Sequence, residues 1–195
     1  YGIDNASDGD TVLVAAGTYV ENITWPRTPG IKLIGSGEDN CFIDGDSLGS
    51  VIRFESDLGG IIDSTTLITG FTIQNGSANV GGGMYLYYFS SPTLTNVTFS
   101  GNTAYYRGGG MYIKSSNPTL ADVTFSGNLA DYGGEMRCSD SNPTLTNVTF
   151  SNNTATSDGG GIYVISGNPS ITYSNLYNND GDNCYNCGEW IGNNL

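Results

Sequence analysis

One position that could contact a ligand recurs in four similar segments of the sequence. It carries Tyr85, Tyr112, Arg137 and Tyr163, each directly after a Gly-Gly-x-Met or Gly-Gly-x-Ile motif. Aromatic faces and phenol hydroxyls suit sugar rings or another protein surface, although aromatic residues on neighbouring strands also stabilise a sheet by packing together. With Lys114, two residues beyond Tyr112, these residues form a candidate binding face for a glycan or a surface protein.

Acidic pairs are the best candidates for a metal site, because the absence of histidine removes the commonest transition-metal ligand. Three Asp-Gly-Asp segments occur, and the last contains Asp180 and Asp182. Alternating carboxylates can bind Ca²⁺, but a complete site needs about six to eight oxygen ligands, and Asp-Gly is also ordinary turn chemistry. Calcium at Asp180 and Asp182 is a candidate, and we expect no other cofactor.

Two of the four cysteines are close enough in sequence to form a disulfide. Cys184 and Cys187 would close a loop near the C-terminal end. Cys138 occupies a position that is apolar in the other repeats, so we expect it to be buried. Cys41 lies several repeats away, beyond the reach of a disulfide to Cys138.

Asn-x-Ser/Thr motifs mark candidate glycosylation sites. The best placed are Asn22, Asn96 and Asn147, of which Asn96 and Asn147 occupy equivalent outward positions in the repeat. Such motifs also arise by composition alone in a chain this rich in Asn and Thr.

The charge balance limits the partners. Six Lys and Arg stand against nineteen Asp and Glu, for a net charge of −13. We therefore expect no nucleic-acid partner and no attraction to an anionic membrane surface. The apolar runs are too short for a transmembrane helix. The composition is rich in glycine and only 13% of the residues are charged, which suits a turn-rich β protein outside the cell or on its surface. We expect the chain to be a piece of a longer protein.

The elements that must position these residues form a repeat. The Gly-Gly motifs begin at 81, 108, 133 and 159, and each is followed by a segment like Pro-Thr-Leu-Thr-Asn-Val-Thr-Phe-Ser. Apolar residues alternate within each segment and fall in columns between segments, so stacked coils would bury one continuous core. The pattern predicts a single all-β domain over 1–195, a parallel β-helix of about seven coils of roughly 26 residues. Its clearest repeats span 66–183.

One polar column also recurs in the repeat. It contains Asn102, Asn128, Asn153 and Asn179, shortly after the Phe column. Asparagine tolerates tight corners and bonds well to stacked copies of itself. We expect an internal asparagine ladder at a corner of each coil.

The Gly-Gly-Gly-Met and Phe-Ser-Gly-Asn motifs resemble the repeats of chlamydial-type polymorphic outer membrane proteins. More broadly, the chain resembles right-handed parallel β-helix repeat proteins of the pectate-lyase-like superfamily, and its opening segment, 8–19, looks like the first coil of many secreted bacterial members. The resemblance implies a right-handed coil and a secreted or surface-displayed protein. It implies little about activity, because one fold carries many functions.

Two hypotheses follow for function. The first is a non-catalytic scaffold or adhesin that binds glycan or protein, or that assembles end to end into extracellular filaments through exposed strand edges. The alternative is a polysaccharide lyase, since enzymes of this superfamily share the fold. A lyase needs an Arg or Lys base beside calcium-binding carboxylates on the outer face. The candidate bases and acids are Arg107, Lys114, Arg137, Asp122, Glu135 and Asp140.

Overall fold

The chain folds into a right-handed parallel β-helix in a computed structural model, which describes residues 2–55 and 62–188. It forms about six turns of roughly 26 residues, one fewer than the sequence predicted. Every pair of neighbouring strands is parallel and joins successive coils. The predicted single domain, 1–195, includes residues 1, 56–61 and 189–195, which lie outside the described residues.

Three sheets, here named A, B and C, form the sides of the coil, with strands numbered along the chain. Sheet A contains β1 (Thr11–Val14), β2 (Gly17–Val20), β4 (Lys32–Gly35), β5 (Cys41–Asp44), β7 (Leu67–Gln74), β10 (Thr93–Ser100), β13 (Thr119–Ser126), β16 (Thr144–Ser151), β19 (Ser170–Thr172) and β20 (Asn175–Tyr177). Sheet B contains β3 (Ile23–Thr24), β6 (Ile52–Phe54), β9 (Met84–Tyr87), β12 (Met111–Lys114), β15 (Met136–Ser139), β18 (Ile162–Val164) and β21 (Cys184–Tyr185). Sheet C contains β8 (Ser77–Val80), β11 (Thr103–Arg107), β14 (Leu129–Tyr132) and β17 (Thr154–Asp158).

A 3₁₀-helix, Ile3–Asn5, precedes β1. The described residues contain no helix that is long and apolar enough to cross a membrane.

The predicted apolar columns are the core. Phe99, Phe125 and Phe150 stack directly on one another, with ring centroids 4.9 and 5.0 Å apart. The columns on sheet B, which begin at Met84 and Leu86, are also fully buried. Burying a side chain of this size contributes roughly 2–3 kcal/mol, so each added coil gains stability only because its neighbours cover it.

A left-handed residue divides the longer strands of sheet A, which the sequence did not predict. At Asn96 (φ 51°) and Asn147 (φ 54°) the backbone leaves the strand conformation, and neither residue pairs with the next coil. Both candidate glycosylation sites are therefore at an exposed corner, and the Asn147 amide donates to Asp122. The third candidate, Asn22, is exposed in the connection before β3 and donates to the Ser50 carbonyl.

The asparagine ladder lies inside the corner between sheets A and C, as predicted. The Asn102 amide donates to the Asn128 carbonyl oxygen at 3.1 Å, and Asn128 in turn donates to Asn153 at 3.1 Å. The same Asn128 oxygen accepts the backbone N–H of Asn102 at 2.8 Å. A second buried ladder, of Ser90, Ser116 and Ser141 between sheets B and A, was missed in the sequence.

We predict that Asn128→Ala destabilises the protein by about 2–5 kcal/mol, because it leaves the buried Asn102 N–H and the Phe99 carbonyl without their partner. Urea unfolding followed by circular dichroism measures the loss. Asn79→Ala, at an exposed residue of β8, is the matched control and should shift stability by less than about 0.5 kcal/mol. Equal effects of the two substitutions would show that the ladder does not stabilise the coil.

Candidate functional site

The outer face of sheet B carries a continuous stack of aromatic rings and guanidinium groups. Successive strands place one residue each in register, from β6 to β21. We call this row the sheet B ladder: Arg53, Tyr85, Tyr112, Arg137, Tyr163 and Tyr185. Neighbouring groups lie 4.6–5.8 Å apart along the row.

Four members of the ladder are residues of the predicted binding face, and two were not recognised in the sequence. Arg53 and Tyr185 lie in coils without the Gly-Gly-x motif, which is why the repeat did not reveal them. The available signal was the alternation in Ile52-Arg53-Phe54, which matches Met84-Tyr85-Leu86.

Stacking covers the ring faces of the inner ladder. Tyr85 lies between Arg53 and Tyr112, and its ring is nearly parallel to that of Tyr112, at 19°. Tyr112 and Arg137 are each only 5% exposed. The inner ladder therefore presents ring edges to solvent, and its aromatic faces are not free to stack on a sugar.

Burial makes the ladder hydroxyls harder to ionise. It is the main cause that raises the pKa of Tyr85 to about 12, with a smaller contribution from Tyr87. Burial likewise raises the pKa of Tyr163. A tyrosine hydroxyl is protonated at neutral pH even without this shift, so both can donate as well as accept hydrogen bonds.

Free aromatic groups flank the ladder at the end of β9. Tyr88 and Phe89 have positive φ, 44° and 61°, and Phe89 is 63% exposed. This loop has one more residue than the equivalent loop after β12, and β11 has one more residue than β14, which together explain why the first spacing of the repeat exceeds the second. Lys114, the fifth predicted residue, lies over the rings of Tyr87 and Tyr88, at 5.5 and 5.9 Å from the centroids.

A second exposed aromatic group flanks the opposite side of the ladder. Tyr105 and Tyr106 on β11 are 66% and 51% exposed and contact each other edge to face. On β14, Tyr132 leans against Tyr163, with ring centroids 5.3 Å apart. A cleft of about 610 Å³ continues this side towards the N-terminus, where Tyr105 and Arg53 line it together with Asn79.

The candidate lyase residues do not come together on this face. Arg137 and Lys114 lie on sheet B, whereas Asp122 lies at the corner of sheet A. Asp140, just after β15, accepts a hydrogen bond from Ser166. Glu135, expected on the outer surface, points into the core instead.

Glu135 replaces the third glycine of the motif with a fully buried carboxyl. One carboxyl oxygen accepts a hydrogen bond from Asn128 at 2.5 Å, and the other has no partner. A side chain at Gly110 in the coil before would collide with this carboxyl, so glycine is required there. Burial raises the pKa of Glu135 well above its ordinary value, although the hydrogen bond from Asn128 acts in the opposite direction.

The remaining candidates lie near the C-terminal end. The structure pairs Cys184 with Cys187 in a disulfide, their Cα atoms 6.1 Å apart, and leaves Cys41 and Cys138 free and buried. Asp180 pairs with Thr154 through the backbone, and Asp182 follows in a left-handed conformation. Across residues 2–55 and 62–188, no three acidic or cysteine side chains cluster as metal ligands, and calcium at Asp180 and Asp182 stays a prediction.

We predict that Glu135→Gln removes a pH dependence of stability. Because the folded pKa exceeds the unfolded value of about 4.5, wild-type stability is complete below that pH and falls as pH rises towards the folded pKa. The slope should be about 1.4 kcal/mol per pH unit. Denaturation at pH 4 to 8 should show a flatter profile for Glu135→Gln, whereas Asp39→Asn, at an exposed carboxyl, should follow the wild type. Parallel profiles for all three proteins would refute the burial argument.

Comparison with known proteins agrees with this architecture. The family model described as right handed beta helix region matches residues 21–194. No curated protein and no solved structure matches the chain. Since the match covers most of the sequence, the chain belongs to the right-handed β-helix family.

Proposed function

We propose that this protein is a non-catalytic scaffold outside the cell or on its surface, which binds a polysaccharide along the outer face of sheet B. The observation that carries the proposal is the pair of exposed aromatic groups on either side of the ladder. Phe89 stands on one side, and Tyr105 and Tyr106 stand on the other. Exposed aromatic side chains grouped on one face of a folded protein favour a binding surface there.

The two parts of this face would contact different parts of a sugar chain. The ladder offers hydroxyls and ring edges, which suit the hydroxyl groups of a sugar. The exposed rings of Tyr105 and Phe89 offer apolar surface, which suits the hydrophobic side of a sugar ring. A sugar chain lying parallel to the coil axis would meet one ladder residue per coil, about every 4.8 Å.

The lyase alternative receives less support. Its base candidates, Lys114 and Arg137, are engaged with aromatic rings. Of the acids proposed to accompany them, Asp122 lies on sheet A and Asp140 accepts a hydrogen bond from Ser166. The third, Glu135, is buried in the core. Filament assembly through the exposed strand edges at the ends of the coil stays a prediction.

We predict that a Tyr105→Ala, Tyr106→Ala double variant binds a polysaccharide at least about tenfold more weakly than the wild type, because two exposed aromatic contacts are lost. Affinity electrophoresis against a panel of neutral and acidic polysaccharides provides the measurement. Tyr173→Ala removes a tyrosine that is 74% exposed on sheet A and should leave binding unchanged. The proposal would be contradicted if the wild type bound no polysaccharide of the panel, or if the double variant and Tyr173→Ala lost the same amount of affinity.

A further inference from the structure

The two arginines of the sheet B ladder are compensated differently. Arg53 stacks on Tyr85, and its Nε donates to Glu55 at 2.8 Å, so this cation has a carboxylate partner. Arg137 stacks between Tyr112 and Tyr163, at 5.5 and 5.8 Å from the ring centroids. In the described part of the chain, Arg137 forms no ion pair, and its buried Nε has no hydrogen-bond partner.

The surroundings of Arg137 add positive charge. Burial lowers the pKa of Arg137, and the nearby guanidinium of Arg107 lowers it further, whereas Tyr112, which accepts a hydrogen bond from Arg137, and Tyr163 act in the opposite direction. The Arg137 guanidinium still carries its charge at neutral pH, since arginine does not lose its proton in proteins. Arg107 is exposed at the end of β11, beside the ladder. A chain of net charge −13 thus holds two neighbouring cations, and among the described residues neither forms an ion pair with a carboxylate.

Arg137 has aromatic and hydroxyl partners but no counter-ion, and a buried charge without a counter-ion is costly unless an ion or a ligand compensates it. The tyrosine rings fix the plane of the Arg137 guanidinium, which prepares its planar set of donors for an oxyanion. The exposed Arg107 provides a second cation on the solvent side. The position of Arg137 carries tyrosine in both neighbouring coils, Tyr112 and Tyr163, so stacking along the ladder does not itself require an arginine there.

We propose that Arg137 and Arg107 form a binding site for an oxyanion, either a free ion such as sulfate or phosphate or the carboxylate or sulfate group of an acidic polysaccharide. This site would identify the ligands of the sheet B face as anionic. If the anion belongs to a polysaccharide, the inference rests on the proposed function. A charged substituent would bind at Arg137 while neighbouring sugars meet Tyr105 and Tyr106.

Isothermal titration calorimetry of the full chain tests the site with separate probes. The probes are sodium sulfate against sodium chloride of equal ionic strength, and a galacturonate oligosaccharide against its neutral galactose counterpart. We expect the wild type to prefer the anionic probe at least tenfold in one or both pairs. Arg137→Gln should abolish that preference, and Arg107→Gln should weaken it severalfold without affecting the fold, since Arg107 is exposed.

The matched control is Arg53→Gln, which removes a stacked arginine that already has a carboxylate partner. It should retain the preference for anions. Sulfate binding that depends on Arg137, without binding of any oligosaccharide, would support the anion site and contradict the proposed function. Equal binding within both pairs of probes would overturn the anion site, and binding of the oligosaccharides in that case would still support the proposed function. An unchanged preference in both Arg137→Gln and Arg107→Gln would also overturn it.

Discussion

Stacking of equivalent residues in successive coils is the constraint on which this structure depends. A single coil cannot bury its apolar side, so Phe99 is covered only because Phe125 lies in register in the next coil. The same register aligns Asn102 with Asn128 and satisfies buried polar groups that a lone coil would leave unpaired. Side-chain identity therefore repeats along the axis both inside and outside the coil.

The same register places equivalent outward residues of successive coils in a straight row on the outer face. Because sheet B repeats one outward position per coil, tyrosines at that position stack on one another, and their ring faces are not available to separate sugar rings. Stacking covers the faces of the rings and leaves their hydroxyl groups and edges accessible. The exposed aromatic side chains lie on either side of the stack. Where Arg137 interrupts the tyrosines, the repeat introduces a cation that stacks on tyrosine rings and forms no ion pair among the described residues.

Much of the fold could be predicted from the sequence because columns of identical residues report directly on stacking. The Phe core, the asparagine ladder and the outward Tyr85, Tyr112 and Tyr163 all follow from that periodicity. The direction of Glu135 could not be predicted, because glycine in the neighbouring coils has no side chain to show which way the position points. The left-handed corner at Asn96 was missed because its flanking residues keep the strand pattern.

The central claim is that ligand binds along the outer face of sheet B, between the two groups of exposed aromatic residues. Hydroxyl-radical footprinting with and without a bound polysaccharide tests it most directly, because each aromatic side chain reports its own accessibility. We expect Phe89, Tyr105 and Tyr106 to lose reactivity on binding, while Tyr173 and Tyr177 on sheet A keep theirs. Protection confined to Tyr173 and Tyr177 would place the ligand on sheet A and contradict this account.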